Sequence, residues 1–148
     1  MRATPTSLAY DDFTEDAKRT YYYWVKACND DSVCSDYSAY DSGWREMATV
    51  TNVAASDGTY TDKVQVSWSS VSDASYYEVY RALSQGGAKS LLGNPTASPY
   101  NDSGAAENIV YHYWVVACNA NGCSGYSSDN TGYLGQGLIQ IFLPLIVR

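Results

Sequence analysis

The sequence has few of the residues on which catalysis and metal binding usually depend. Its 148 residues include one histidine, His112, and four cysteines. It contains no Gly-x-Ser-x-Gly nucleophile elbow, no His-Glu-x-x-His zinc motif and no glycine-rich phosphate loop. No pair of nucleophile and general base can be assembled from it. The sequence therefore argues against an enzyme and gives no sign of a cofactor.

Basic residues are also scarce. Nine Lys and Arg stand against 16 Asp and Glu, a formal net charge of -7. Because such a surface repels phosphate backbones, nucleic acid is not an expected partner. The acidic cluster at residues 11–16 holds carboxylates of the kind that bind calcium, but it lacks the spacing of a calcium loop. No metal site is predicted.

Long apolar runs are absent as well. No run approaches the ~20 residues of a membrane-spanning helix, and the longest, residues 138–147, is interrupted by Gln140 and Pro144. Residues 135–148 form an apolar C-terminal tail. The tail resembles the short apolar ends of some bacterial surface proteins, and an extra strand over exposed apolar surface fits it equally well. The N-terminus lacks the apolar stretch of a signal peptide, so we expect any export signal to lie outside this sequence.

Tyrosine is abundant, with 15 Tyr against two Phe, and a tyrosine-rich segment occurs twice. Residues 21–29 (YYYWVKACN) recur as residues 111–119 (YHYWVVACN), an offset of 90. Beyond the cysteines the offset is 89, because the first copy has one extra residue. Nothing before Tyr10 corresponds to residues 50–95. The repeat therefore predicts a partial copy over residues 1–46 and a complete copy over residues 47–134.

The complete copy alternates apolar and polar residues as half-buried strands do. Residues 63–69 place Val64, Val66 and Trp68 on one face. Residues 49–53 and 89–92 are weaker strand candidates. Two further segments place the following residues inward: Tyr77, Val79, Tyr111, Tyr113, Val115 and Ala117. Turn-rich segments separate the strands and helical periodicity is absent, so the pattern predicts an all-β antiparallel sandwich of about seven strands.

The order of these motifs resembles that of fibronectin type III domains. A Trp in the second strand, Tyr-x-Val in the third, and Tyr-x-Tyr-x-Val-x-Ala-x-Asn followed by Gly and Ser-x-x-Ser resemble that family's B, C, F and G strands. The resemblance covers residues 49–134 in full and residues 8–46 as an F–G hairpin. It implies an immunoglobulin-like β-sandwich with Trp68 as core tryptophan. It also implies that Tyr111 is the tyrosine-corner residue and that Tyr21 is its equivalent. Tyr77 and Tyr113 complete the predicted core markers.

The cysteines depart from that family's pattern, since most members have none at these positions. Cys28 and Cys34 would face each other across one hairpin, and Cys118 and Cys123 across the other. Directly paired antiparallel residues lie ~4.5 to 5.5 Å apart at Cα, within reach of a disulfide. Two such disulfides are favoured in an oxidising environment and would indicate an extracellular location. Free thiols and a shared zinc site are the alternatives.

Strict alternation places another set of side chains on the outer face of the predicted sheet, namely Tyr76, Tyr80, His112, Trp114 and Val116. Trp24 repeats Trp114 in the first copy. A row of exposed aromatic rings can stack on sugars or anchor a protein. The alternative is that these rings form cross-strand pairs and pack under Arg or Lys stems.

These observations predict a non-catalytic extracellular or cell-surface module, a spacer and adhesion or protein-interaction unit of a larger protein. Its partner would be a protein or a polysaccharide at the cell surface. The alternative is a carbohydrate-associated accessory module of a secreted hydrolase, with Tyr80 and Trp114 as stacking residues.

A lone F–G hairpin is not stable uncovered, so the inward Tyr21, Tyr23 and Val25 need a cover. Missing upstream strands, the complete module or a strand edge of another chain would provide it, and the last would produce self-association.

Overall fold

The computed structural model describes Thr4, Ser7, residues 9–13 and residues 15–137. Most of the predicted apolar tail, from residue 138 onward, lies outside the described residues. Ten β-strands and no helix occur in the described part of the chain. None of these residues therefore lies in a helix that could cross a membrane. In chain order the strands are β1 (Tyr21–Tyr23), β2 (Asp41–Gly43), β3 (Ala54–Ala55), β4 (Val64–Ser67), β5 (Tyr76–Ala82), β6 (Ser90–Gly93), β7 (Tyr100–Asp102), β8 (Tyr111–Asn119), β9 (Gly122–Cys123) and β10 (Asn130–Gly132).

The complete copy is a sandwich of two antiparallel sheets, which confirms the predicted fold class. One sheet has the order β10–β8–β5–β6, with β9 also pairing with β8, and the other has the order β3–β4–β7. A third, two-stranded sheet joins β1 to β2 in the partial copy. The first weak strand candidate, residues 49–53, is wrong, because pairing with β4 begins only at Ala54. Asn52 has a positive φ of 55°, which interrupts the extended backbone just before that point.

The core lies between the two sheets of the complete copy. Val64 and Val66 of β4 are fully buried, and Trp68 follows them on the same face. Tyr77 of β5 packs against Trp68, with 5.3 Å between ring centroids. From β8 the core receives Tyr111, Tyr113, Val115 and Ala117, all buried. The alternation read from the sequence therefore identifies which face of each strand is inward.

Each copy contains the backbone contact of a tyrosine corner. The N–H of Ala106 donates to the hydroxyl of Tyr111 at 3.4 Å. In the partial copy the N–H of Asp16 donates to the hydroxyl of Tyr21 at 3.3 Å. The two contacts are separated by the same 90 residues as the sequence repeat. The repeat is therefore one of local structure as well as of sequence.

The partial copy packs against the complete copy at a junction that we define by Ala17, Arg45, Asp73 and Asn119. Ala17 is fully buried and belongs to the core cluster. The side-chain amide of Asn119 donates to the carbonyl of Ala17 at 3.0 Å. Arg45 forms an ion pair with Asp73 at 3.0 Å and donates to the carbonyl of Glu15 at 2.8 Å. The boundary predicted near residue 46 therefore runs through a packed region.

Candidate functional site

The two hairpins have the same strand register. Tyr21 lies opposite Gly43 in the partial copy, and Tyr111 lies opposite Gly132 in the complete copy. The same offsets of 90 and 89 residues relate the other pairs of the two ladders. Positions in one hairpin can therefore be compared directly with positions in the other.

Serine hydroxyls take the place of backbone acceptors in both hairpins. The N–H of Val25 donates to Ser38 Oγ at 3.1 Å, and the N–H of Val115 donates to Ser127 Oγ at 3.0 Å. Each of these serines returns a hydrogen bond from its own N–H to the carbonyl of the same valine. The repeated Ser-x-x-Ser motif thus satisfies backbone N–H groups where regular pairing stops.

Each hairpin is closed by a disulfide, as predicted. Cys28 bonds to Cys34 and Cys118 bonds to Cys123. Within the described residues, one group of three potential metal ligands combines Glu78 with the sulfurs of Cys118 and Cys123. Because those two sulfurs are bonded to each other, they offer no thiolate to zinc. The readings as free thiols and as a zinc site are therefore wrong.

The outer face of the complete copy is covered rather than open. Tyr76, Tyr80 and His112 are half-buried there, but Trp114 is only 4% exposed. The ammonium of Lys89 lies 4.3 Å from the centroid of the Trp114 ring. His112 stacks on the same indole, with 6.1 Å between centroids.

The expectation that Trp114 is exposed for stacking on a ligand is therefore wrong. The ring packs under a lysine stem, which was the alternative reading of the strip. Tyr126 adds to the cover, since its ring lies 5.1 Å from Tyr80 and 5.2 Å from the Lys89 ammonium. Sequence alternation could not reveal this, because Lys89 and Tyr126 come from segments outside β5 and β8.

Polar groups border this face without forming a catalytic centre. His112 Nδ1 lies 2.6 Å from Asp129, which also accepts a hydrogen bond from Gln85 at 2.9 Å. The bond with His112 is the main reason why the pKa of Asp129 is lowered. Among the described residues, no hydroxyl or thiol hydrogen-bonds the His112 ring, so the pair lacks a nucleophile.

One shallow cleft of about 570 Å³ is lined by residues that include Arg81, Leu83, Ile109 and Tyr111. Its one charged group, Arg81, is already bonded to Asp102 at 2.8 Å. The cleft therefore lacks the convergent acid and base groups that a reaction centre needs.

An exposed aromatic face does occur, but on the partial copy. It consists of Tyr22, Trp24 and Tyr40, which are 56%, 53% and 62% exposed. The Tyr40 ring lies 5.5 Å from that of Tyr22 and 6.0 Å from that of Trp24. Trp24 is the counterpart of the covered Trp114. Its ring is open because the partial copy has no counterparts of β5 and β6 among the described residues.

Sequence reasoning identified Trp24 as a repeat of Trp114 but did not identify Tyr40. Tyr40 immediately precedes β2. Continuing the pairing of Tyr23 with Asp41 by one residue places Tyr40 opposite Trp24. The sequence repeat gave no signal for Tyr40, because its counterpart in the complete copy is Asp129, and the pairing is evident only from the strand register of the structure.

Comparison with solved structures identifies the fold. An Fn3-like protein from Clostridium thermocellum superimposes with a TM-score of 0.55 at 21% identity, covering 63% of this chain and 98% of that one. A fibronectin type III domain from human KIAA0970 protein gives 0.53 at 16% identity, covering 67% and 82%. The fold is that of a fibronectin type III module. No family model matches the chain.

One curated protein is similar to part of this chain. A poly(3-hydroxybutyrate) depolymerase from Ralstonia pickettii is 36% identical over 95 residues, which is 64% of this chain. The match covers only 16% of the depolymerase. The shared region is thus a small part of that enzyme, consistent with a module of a larger protein.

Proposed function

We propose that the chain is a non-catalytic fibronectin type III unit that spaces and orients neighbouring parts of a larger extracellular protein and binds a protein partner. The observation that carries this proposal is the packed junction between the two copies. Ala17, Arg45, Asp73 and Asn119 connect them through a buried side chain, an ion pair and a hydrogen bond. Consecutive modules joined in this way keep a fixed orientation, whereas a flexible linker would let them swing.

Two further features support the extracellular and binding parts of the proposal. Disulfides persist in oxidising compartments, and both hairpins have one. The aromatic face of Tyr22, Trp24 and Tyr40 offers rings of the kind that are enriched at protein interfaces. These features favour an exported interaction module over an intracellular one.

The junction can be tested by residual dipolar couplings measured on the full chain. Couplings from residues 21–43 and from the complete copy should fit one alignment tensor. The double variant Arg45→Ala with Asn119→Ala should reduce the couplings of residues 21–43. The couplings of the complete copy should stay unchanged outside the β8–β9 turn, where Asn119 also accepts hydrogen bonds from the N–H groups of Asn121 and Gly122. Arg19→Ala is the matched control, since Arg19 contacts Asp16 and the Tyr21 ring, both in the same copy. If the couplings of the two copies in the unaltered chain required two different alignment tensors, the spacer role would be refuted.

A second candidate is an accessory module of a secreted hydrolase, which the similarity to the depolymerase favours. Covered Trp114 cannot serve as its stacking residue, so the contact would be made by Trp24 and Tyr40. Full-length chain should then be retained on poly(3-hydroxybutyrate) granules or on cellulose. Trp24→Ala with Tyr40→Ala should abolish retention, while Phe13→Ala, a change at an exposed ring elsewhere, should not. Absence of retention by the unaltered chain on both polymers would reject this candidate.

A further inference from the structure

The second face of the partial copy, which we call the inner face, is open where the complete copy is closed. Tyr23 is 39% and Val25 is 70% exposed, whereas their counterparts Tyr113 and Val115 are fully buried. In the complete copy, β4 of the opposite sheet contributes Val64 and Val66 to the buried cluster that contains Tyr113 and Val115. The exposure of Tyr23 and Val25 shows that the described residues of the complete copy do not cover the inner face in the same way.

One edge of the partial copy is open at the same place. In the complete copy β8 pairs with β10 on one side and with the seven-residue strand β5 on the other. In the described part of the partial copy, β1 pairs only with β2. The edge of β1 that corresponds to the β5 side therefore presents backbone groups to which a further strand can bond.

Gly132 and its counterpart Gly43 differ in how closely other strands pass beside them. A Cβ atom at Gly132 would lie 2.7 Å from the Cβ of Ala55 and 2.8 Å from a methyl of Val64, because β3 and β4 pass directly against it. Gly43 occupies the same register position in the partial copy. There the nearest atom to an added Cβ is a Tyr23 ring carbon at 3.7 Å. Gly43 thus leaves room for strands equivalent to β3 and β4, which do not occur in the described part of the partial copy.

The charged groups near the inner face indicate which kind of side chain a strand bound there would contribute. In the complete copy, buried Asp102 accepts hydrogen bonds from Arg81 at 2.8 Å and from the Tyr113 hydroxyl at 2.9 Å. The partial copy has the counterparts of two of these three, Asp12 for Asp102 and Tyr23 for Tyr113. The arginine belongs to β5, a strand with no counterpart among the described residues of the partial copy.

The charged groups that act on Tyr23 are acidic. Desolvation, followed by the negative charges of Glu15 and Asp12, raises the pKa of Tyr23. For Tyr113, the positive charge of Arg81 acts in the opposite direction. Residues 9–46 contain nine Asp and Glu against four Lys and Arg. A second copy of the same hairpin would bring further acid to this face, whereas a strand with an arginine complements it.

We propose that the inner face of the partial copy binds the front half of a fibronectin type III module, supplied by a polypeptide segment outside the complete copy. The occupant has one strand with alternating valines and a tryptophan, like residues 64–68, that packs on Tyr23 and Val25. Its next strand pairs with the open edge of β1 and brings cationic side chains to this acidic segment.

The test extends the full chain with a second copy of residues 47–90 ahead of Met1, which keeps the 90-residue spacing of the repeat. Hydrogen exchange is then measured by mass spectrometry over residues 21–29. Exchange should slow by roughly tenfold or more, because local opening of the uncovered hairpin is replaced by opening of a packed sheet. An extension of equal length with Asp at the positions copied from Val64 and Val66 is the matched control and should give no slowing.

Gly43→Val provides a second, independent readout. The substitution should leave exchange of the unextended chain unchanged, since an added Cβ meets only the Tyr23 ring there, at an ordinary contact distance of 3.7 Å. It should remove the slowing in the extended chain. A second extended chain carries a Gly-Ser linker ahead of Met1, so that a strained connection does not prevent the added strands from reaching the inner face. Failure of both extensions to slow exchange would overturn the proposal. Slow exchange of residues 21–29 already in the unextended chain would also overturn the proposal. In that case a dimeric mass would indicate that a second copy covers the inner face, and a monomeric mass would indicate that the chain's own tail does.

Discussion

Lys89 places its ammonium 4.3 Å from the Trp114 ring, and Trp24, the matching residue of the other copy, has no such cover. The cations of the partial copy lie over other rings: Lys18 is 4.9 Å from Trp44 and Lys26 is 4.2 Å from Tyr37. Identical residues in matched strands therefore differ in exposure because of side chains contributed from elsewhere. At the scale of single residues, the cover determines whether an aromatic ring can bind a ligand.

Acid should weaken the complete copy through Asp129. The hydrogen bond with His112 lowers the pKa of Asp129, so the ionised carboxylate stabilises the fold above its unfolded-state pKa of about 3.9. This contribution is lost as the pH falls through the lower folded-state pKa. Urea unfolding should show Asp129→Asn as less stable than the unaltered chain near pH 6, with the difference shrinking below pH ~3.

The exposed carboxylate of Asp62 provides a control for that measurement. Asp62→Asn should leave the pH dependence of the unfolding free energy close to that of the unaltered chain. An equal difference between Asp129→Asn and the unaltered chain at both pH values would show that the pair with His112 does not contribute in this way.

At the scale of elements, residue alternation was sufficient to predict the central strands. Val64 and Val66 lie inward on β4, and Tyr113 and Val115 lie inward on β8, as their spacing required. The first short strand was misplaced, because a single positive φ at Asn52 ended the extended backbone and alternation does not register such a break. Strand identity follows from local sequence, whereas strand limits depend on backbone geometry at one residue.

The candidate site was less predictable than the strands. Alternation gave the correct face for Trp114 but said nothing about what lies above that face. The two covering residues, Lys89 and Tyr126, are separated from Trp114 by 25 and 12 residues in the chain. The exposure of Trp24 follows instead from the absence, among the described residues, of strands that pack around it. Both outcomes depend on tertiary contacts, to which a local sequence pattern is insensitive.

At the scale of the whole molecule, charge and exposed apolar surface coincide. Most of the net charge of -7 comes from residues 9–46, which hold nine of the 16 acidic residues. The same segment carries the aromatic face and the inner face. A partner with cationic and apolar groups would therefore be attracted to the partial copy by long-range electrostatics before any direct contact forms.

The shared register of the two hairpins has a consequence for how the chain folds. One front half, β3 to β7, is available to two hairpins that present the same residues to it. Val64 is 41 residues from Tyr23 and 49 from Tyr113, so the loop-closure costs of the two pairings differ by only about 0.2 kcal/mol.

The partial copy should therefore act as a decoy that captures the front half during refolding. Tyr23→Asp with Val25→Asp should speed refolding in stopped-flow tryptophan fluorescence, because the decoy loses its apolar face while the native core is untouched. Val33→Asp, at an exposed position in the disulfide-closed loop, should leave the rate unchanged. Equal rates for all three chains would show that the hairpins do not compete. Two hairpins with the same register thus compete for one set of strands, which is kinetic frustration. Hairpins that presented different residues would avoid this competition.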